Sequence, residues 1–171
     1  MSTIFTSKKI WALYEQSCAD GIRRLKKIPV FCGADPEFRG LSGWVFEKTI
    51  RFCLEMELKA AKVKIPIAEQ FKLGSRAKAD LCIGPVLVEL KLSGFFSGDA
   101  SEKYRRYRAQ AARDGYSYLF FSGMESHLPY RGIAKKTFGA NNTFYLDSSK
   151  DWQNFIRRVK DLLERCDESS I

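Results

Sequence analysis

The chain has 171 residues, 45% of them hydrophobic and 13% aromatic, which is enough for one well-packed core and too few residues for two ordinary domains. Lys and Arg number 29 against 20 Asp and Glu, so the formal net charge is +9; this excess favours a polyanionic partner, although a merely soluble basic protein has the same balance. No apolar run approaches the ~18 residues of a membrane span, and residues 1–9 contain no secretory segment, so we expect a cytoplasmic protein with no membrane partner.

The first third of the chain has the periodicity of helices. Apolar residues recur at helical spacing over residues 8–27, although Asp20-Gly21 is a signal for a break. Residues 32–40 contain Gly, Asp and Pro and predict a loop. Ser42 then suits the N-cap of a helix that runs to about Ala61 and, being rich in large apolar residues, should be buried.

Strand patterns follow this helix. Val63, Ile65 and Ile67 alternate with polar or small residues as in a half-buried strand, and residues 72–78 resemble a basic turn. Two β-rich runs come next, separated by Gly84-Pro85. This arrangement predicts a tight hairpin of residues 80–83 with residues 86–91.

The rest of the chain alternates helices and strands. Periodicity and turn residues predict a helix, a strand, a loop, a short strand and a closing helix over residues 99–113, 116–122, 123–142, 143–146 and 151–165. The whole order predicts an α/β fold, with a mixed central sheet of about five strands flanked by helices. We expect a single domain with an N-terminal helical segment over residues 1–39, a core over about 41–147 and a C-terminal helix over about 151–166.

The cysteines and the histidine exclude some kinds of site. The five cysteines are scattered and form no CxxC pair, which predicts buried reduced thiols. A single histidine, His127, cannot support a His-rich zinc site or a histidine-centred nuclease motif.

The predicted hairpin has two chemically different faces. A turn at Gly84-Pro85 places Asp80 directly opposite Glu89. Side-chain alternation puts Asp80, Glu89 and Lys91 on one face. The other face is wholly apolar and consists of Leu81, Ile83, Val86, Val88 and Leu90.

The polar face suits a divalent cation. Carboxylates directly opposite on neighbouring strands lie about 5 Å apart and repel each other unless a cation lies between them. Magnesium prefers carboxylate, water and phosphate oxygens, so Asp80 and Glu89 predict a Mg²⁺ site. Lys91 can orient a water or neutralise developing negative charge. The alternative is a solvated strand edge with a weak ion pair between Glu89 and Lys91.

Glu47 interrupts an apolar stripe of the second helix. Trp44, Ile50 and Leu54 lie on the same predicted face, and burying a carboxylate there without a partner is costly. Glu47 either pairs with Arg51 at i+4 or helps to bind the metal or its waters. We favour the second interpretation.

These residues together resemble the PD-(D/E)XK nuclease superfamily. The resemblance covers residues 41–146 and depends on a helix with Glu47, then Asp80, eight intervening residues, and Glu89-Leu90-Lys91. It implies a core of a helix, three antiparallel strands, a helix and a further strand. It also implies that Asp80 and Glu89 bind metal, that Lys91 assists the attacking water, and that Glu47 completes the site. Ala79 stands where the family has proline.

Basic side chains in three segments are predicted to bind DNA. We expect phosphate contacts from the helix over residues 99–113 and from the segment before Asp80, and base or strand contacts from the loop after the fourth strand. The alternative for the helix is a solvated basic face packed through its tyrosines. The predicted DNA-binding residues are Lys72, Arg76, Lys78, Lys103, Arg105, Arg106, Arg108, Arg131, Lys135 and Lys136.

The sequence therefore predicts a Mg²⁺-dependent endonuclease of double-stranded DNA, with Mn²⁺ expected to substitute. Its simplest form is a type II restriction endonuclease or the catalytic subunit of one. Because one chain carries one active site, cutting both strands predicts a homodimer or a partner subunit. The alternatives are a structure-selective nuclease, such as a junction resolvase or repair nuclease, and a nucleic-acid-binding module that has lost catalysis.

Overall fold

The computed structural model describes residues 3–25, 39–74, 77–94, 98–148 and 150–168. The helices are α1 (Ser7–Leu25), α2 (Arg39–Ala60), α3 (Gly98–Arg113), α4 (Ile133–Phe138) and α5 (Asp151–Glu168). The strands are β1 (Ile67–Leu73), β2 (Ala77–Ile83), β3 (Val86–Ser93), β4 (Ser117–Met124) and β5 (Thr143–Tyr145). Over these described ranges, no helix is both long and apolar enough to cross a membrane.

The strands form one mixed sheet of five strands in the order β1-β2-β3-β4-β5. The pairs β1–β2 and β2–β3 are antiparallel, whereas β3–β4 and β4–β5 are parallel. Helix α3 makes the crossover that a parallel β3–β4 pair requires. The predicted α/β fold with a mixed five-stranded sheet is confirmed.

Each face of the sheet is covered by its own hydrophobic cluster. The first cluster joins the sheet to α1, α2 and α5 through large side chains such as Ile10, Phe46 and Trp152. The second joins it to α3 and α4 through side chains such as Tyr104 and Phe138. Burial on both faces makes a three-layer α/β/α arrangement, with Glu89 on the side of the second cluster and Glu47 on α2, which covers the first.

The hairpin turn at Gly84-Pro85 is confirmed. Strands β2 and β3 pair in the predicted register, which ends with Leu81 opposite Val88. All five residues of the predicted apolar face lie in the first cluster. The described register stops one residue short of the predicted Asp80–Glu89 pair, and Asp80 Oδ2 accepts a hydrogen bond of 2.7 Å from the Leu90 backbone N–H. The Asp80 side chain thus takes the place of a strand partner.

Strands β1 and β2 change faces together beside Asp80. Regular alternation would place Ile67 and Phe71 on the same face of β1. Ile67 packs against the first cluster, however, and Phe71 packs against the second. The change occurs at Gln70, whose φ of 50° lies in the left-handed region and costs a non-glycine residue about 1 kcal/mol or more. In β2, alternation would likewise place Ala79 and Leu81 on one face, but Leu81 belongs to the first cluster and Ala79 to the second. Asp80 therefore lies where the hairpin twists from one layer to the other.

Some predicted boundaries are wrong. Helix α1 continues through Asp20-Gly21, since the loss of about 1 kcal/mol for a helical glycine is offset by packing of Trp11 and Tyr14 against Phe46. Helix α2 begins before Ser42. Tertiary packing decides both outcomes.

The strands and the later loop also depart from prediction. Val63 and Ile65 precede β1, which begins at Ile67. Lys72 and Lys78 belong to strands rather than to a basic turn. The predicted loop over residues 123–142 contains α4, a helix of 6 residues that is too short to show periodicity in the sequence.

The described cysteines partly match the expectation of buried thiols. Cys53 and Cys82 are buried and free, whereas Cys18 is half-buried. Burial raises the pKa of the Cys53 thiol to about 12, which makes it unreactive. Cys32 and the side chain of Cys166 lie outside the described residues.

Gly123 in β4 has no room for a side chain. A Cβ there would lie 2.5 Å from the Leu92 carbonyl oxygen and 2.9 Å from the Trp11 ring. We expect Gly123→Ala to destabilise the fold by about 2 to 3 kcal/mol. A Cβ at Gly43 in α2 would have nothing within 4 Å, so Gly43→Ala should stabilise by about 0.5 to 1 kcal/mol. Urea unfolding compares the two, and equal effects would contradict the steric argument.

Candidate active site

Glu89 is the most buried carboxylate of the site, with 3% of its surface exposed. Its Oε1 accepts hydrogen bonds from Lys91 Nζ and from the Tyr104 hydroxyl, and its Oε2 accepts one of 3.0 Å from the Tyr118 hydroxyl. Burial raises the pKa of the Glu89 carboxyl, and the Lys91 ammonium opposes that rise. Burial lowers the pKa of Lys91, but Glu89, Tyr104 and Asp80 together raise it by more, so the net shift is upward. The two side chains form an ion pair in which Glu89 is buried and Lys91 is partly exposed.

Three elements position the groups around Glu89. Strand β3 carries Glu89 and Lys91 at alternating positions on one face, and α3 packs Tyr104 over them. Tyr118 comes from β4, two residues before Phe120, which is the parallel partner of Glu89. The sequence prediction did not include Tyr118. In the sequence, Tyr118 could be recognised only as an aromatic residue on the same face of β4 as the partner of Glu89. That recognition requires knowing that β4 pairs with β3.

Asp80 is held by the backbone and by Gln70. In addition to the Leu90 N–H bond, its Oδ1 lies 3.4 Å from Gln70 Nε2. The flanking pairs Glu69–Leu81 and Phe71–Ala79 place residues 70 and 80 opposite each other. Gln70 was also missed by the sequence prediction, since an exposed glutamine within a strand pattern carries no signal by itself.

Glu47 approaches Asp80 from α2. The two residues share a small cavity of about 180 Å³ with Gln70. The pKa of Glu47 is raised to about 7, first by burial and then by the negative charges of Asp80 and Glu89, while Lys91 opposes the shift. The structure therefore brings Glu47 into the electrostatic field of the predicted site.

The alternative partner of Glu47 is engaged elsewhere. Arg51 pairs with Glu69 at 2.8 Å, and Lys48 pairs with the same carboxylate. Among the residues that the structure describes, Glu47 and Arg51 form no ion pair. Trp44 is 56% exposed, so the stripe around Glu47 is less buried than predicted.

A larger cavity of about 680 Å³, here called the carboxylate cavity, joins the predicted residues. Its lining includes Asp80, Glu89, Lys91, Lys72, Lys78 and Lys103. Lys103 Nζ lies 5.3 Å from the ring centroids of both Tyr104 and Tyr107. The cavity thus places carboxylates beside a cationic rim. Arg76 lies outside the described residues.

The other predicted DNA-binding residues lie away from the carboxylate cavity. Arg108 donates to the Thr137 carbonyl at 3.0 Å, Arg105 lies 3.8 Å from Glu102, and Arg131 lies 3.2 Å from Glu125. These contacts hold the side chains within the fold or beside local carboxylates. Arg106 lines an adjoining cavity, and the exposed Lys135 and Lys136 belong to α4.

The carboxylates are not preformed as a metal cluster. Within the described ranges, no group of three or more His, Cys, Asp or Glu side chains is arranged to hold a metal ion. The donor chemistry nevertheless fits a hard cation. Each carboxylate oxygen has two lone pairs, and Glu89 Oε2 and both oxygens of Asp80 each accept one hydrogen bond from the protein. Oxygen ligands of this kind are those that Mg²⁺ prefers.

The chain matches no protein-family model, no curated protein and no solved structure. The resemblance to PD-(D/E)XK nucleases therefore depends on the residues and fold of this chain alone.

Proposed function

We propose that this protein is a Mg²⁺-dependent nuclease that hydrolyses phosphodiester bonds of DNA, and that Mn²⁺ can substitute. The observation that carries the proposal is the convergence of Asp80, Glu89 and Lys91 in one cavity with three further lysines on its rim. Carboxylates that can hold a cation, beside cations that can hold phosphates, suit phosphodiester hydrolysis.

The order of elements gives further support. Helix α2, strands β1 to β3, helix α3 and strand β4 follow one another in the order that the resemblance to PD-(D/E)XK nucleases implies. Asp80 lies on the second strand of this core and Glu89 and Lys91 on the third. The motif and the topology depend on different features of the chain, so their agreement favours the same activity.

Each residue has a distinct role in the proposed mechanism. Asp80 and Glu89 would hold Mg²⁺, with Glu47 as the adjoining third carboxylate. When bound, the cation polarises the phosphoryl oxygen and favours ionisation of water. Lys91 stays an ammonium beside Glu89, orients the attacking water and neutralises negative charge that develops on the phosphate. Tyr104 and Tyr118 keep the Glu89 carboxylate in position.

The finer assignment to a type II restriction endonuclease acting as a dimer on duplex DNA remains a prediction. One chain contributes one carboxylate cavity, so cutting two strands requires a second copy or a partner subunit. A structure-selective nuclease would use the same residues. A binding module without activity would retain the cationic rim but would not hydrolyse DNA.

Cleavage of supercoiled plasmid with and without Mg²⁺ tests the activity. We expect wild-type protein to cut only with the metal, and Lys91→Ala to lose at least about 100-fold of the rate because the charge-stabilising group is removed. Arg157→Ala, an exposed change on α5, is the control for charge. Sequencing of the ends separates discrete fragments from random nicking. Absence of cleavage of plasmid, junction and flap DNA with either metal would overturn the proposal.

A further inference from the structure

A second cavity opens beside the carboxylate cavity, between α3 and the neighbouring ends of β1 and β2. It has a volume of about 680 Å³, and we call it the α3 pocket. The two cavities share Gly74, Ala77, Lys103 and Tyr107 in their linings. A strand bound at Glu89 can therefore continue directly into the α3 pocket.

The charged residues that the structure describes in the lining of the α3 pocket are all positive. Lys103, Arg106 and Arg113 line it, and its described lining contains no carboxylate. Arg113 donates to the side chain of Gln110 at 2.6 Å, and Arg106 lies no closer than 3.7 Å to Glu102, so both guanidinium groups keep donors for a ligand. This charge is complementary to phosphate.

The shape of the pocket suits a base as well as a phosphate. Leu73 and Ala77 are buried side chains of its wall, and the Tyr107 ring lies between the two cavities. Lysines and arginines on an open surface are sufficient for contacts with duplex phosphates, which need no cavity. The volume instead falls in the range of about 300 to 1,000 Å³ that is typical of sites for small molecules. A base in a duplex is stacked on its neighbours, so only an unpaired one can enter.

We propose that the α3 pocket binds one unpaired nucleotide of the DNA strand whose neighbouring phosphate lies in the carboxylate cavity. The base lies against Tyr107 and the apolar wall, and its phosphate contacts Arg106 and Arg113. This inference rests on the proposed nuclease function and names its substrate class, single-stranded or branched DNA, so it favours the structure-selective nuclease over a restriction endonuclease of duplex DNA.

Binding without metal tests the pocket separately from catalysis. The probes are a fluorescein-labelled oligothymidylate and a labelled, blunt-ended duplex, each titrated by anisotropy in EDTA. Ala109→Glu places a carboxylate in the pocket on an exposed helical position, where glutamate is a good helix former. Ala112→Glu, exposed on the same helix and outside the pocket lining, makes the same change in net charge.

We expect Ala109→Glu to weaken oligothymidylate binding by about tenfold or more, and Ala112→Glu to have little effect. Tyr107→Ala should weaken binding of the same probe by a similar factor, and Tyr107→Phe should restore it because the ring is kept. Binding of the duplex should change little in the pocket variants. Equal weakening of both probes by Ala109→Glu, or no weakening of either, would overturn the proposal.

Cleavage of a flap substrate in Mg²⁺ separates the two proposals. We expect cleavage beside the unpaired strand to be lost in Ala109→Glu and kept in Ala112→Glu, a result that supports both proposals. If neither the wild type nor any variant cuts DNA, but Ala109→Glu still binds oligothymidylate more weakly than Ala112→Glu, the proposed nuclease function is wrong and the proposed nucleotide site stands. If the wild type and Ala109→Glu cut flap DNA equally well, the proposed nucleotide site is wrong and the proposed nuclease function stands.

Discussion

Glu89→Gln is expected to lower Mg²⁺-dependent cleavage by about 1,000-fold, because a bound metal supplies several kcal/mol of transition-state stabilisation. The amide has the same volume as the carboxylate but lacks its charge. Its carbonyl oxygen can accept from one of the two tyrosine hydroxyls and its NH2 group can donate to the other, so the packing around this 3% exposed side chain should survive. The isosteric change therefore tests metal binding with little loss of fold.

Thermal unfolding gives a second measurement of the same variant. A ligand at 100 times its dissociation constant stabilises the native state by about 2.7 kcal/mol, which corresponds to about 5 to 10 °C in Tm for a chain of this size. We expect wild-type protein to show such a rise with Mg²⁺ and Glu89→Gln to lose it.

The control for Glu89→Gln is Glu164→Gln, an exposed change on α5, which should keep both the cleavage and the Mg²⁺-dependent rise in Tm. If Glu89→Gln retained the metal-dependent rise, Glu89 would not be a ligand. If it lost the rise but cut DNA at the wild-type rate, the bound cation would have no part in catalysis. Either result would contradict the proposed mechanism.

Glu57→Ala is expected to destabilise the fold by about 3 kcal/mol or more. Glu57 is 3% exposed, and its Oε1 accepts from the Phe5 backbone N–H at 2.9 Å and from Trp152 Nε1 at 3.2 Å. It therefore joins α2 to α5 and to the segment before α1. Alanine leaves two donors without their acceptor, and each such loss costs about 1 to 3 kcal/mol when the donor is buried.

Glu55 provides the matched control, because it is exposed two residues earlier on the same helix. Glu55→Ala should change stability by no more than about 0.5 kcal/mol. Glu57→Gln keeps an acceptor and should fall between the two alanine variants. Urea unfolding followed by tryptophan fluorescence measures all three. Equal midpoints for Glu55→Ala and Glu57→Ala would show that the buried hydrogen bonds contribute no net stability.

Local alternation was sufficient to predict half of the candidate site. Glu89 and Lys91 are two residues apart in one strand, so they share a face wherever that strand lies. The same alternation places Leu90 in the apolar layer, and the Gly84-Pro85 turn determines the register near it. These predictions depend on chain neighbours and therefore needed no tertiary information.

The partners of these residues required the assembled fold. Tyr118 reaches Glu89 only because β4 packs parallel to β3, with α3 between them in the sequence. Gln70 adopts its left-handed conformation beside Asp80, where β1 and β2 turn from one layer to the other. No periodic pattern encodes such a twist, since it arises where two packed layers meet.

The amino-acid sequence by itself determined the α/β class, the hairpin with its apolar face, and the presence of Asp80, Glu89 and Lys91 as a motif. Tertiary structure alone decided that Glu47 faces Asp80 while Arg51 pairs with Glu69, and that a basic pocket adjoins the site. The physical reason is the range of the interactions. Alternation and turn preference act between residues near one another in the chain, whereas burial and charge pairing depend on which elements the fold brings together.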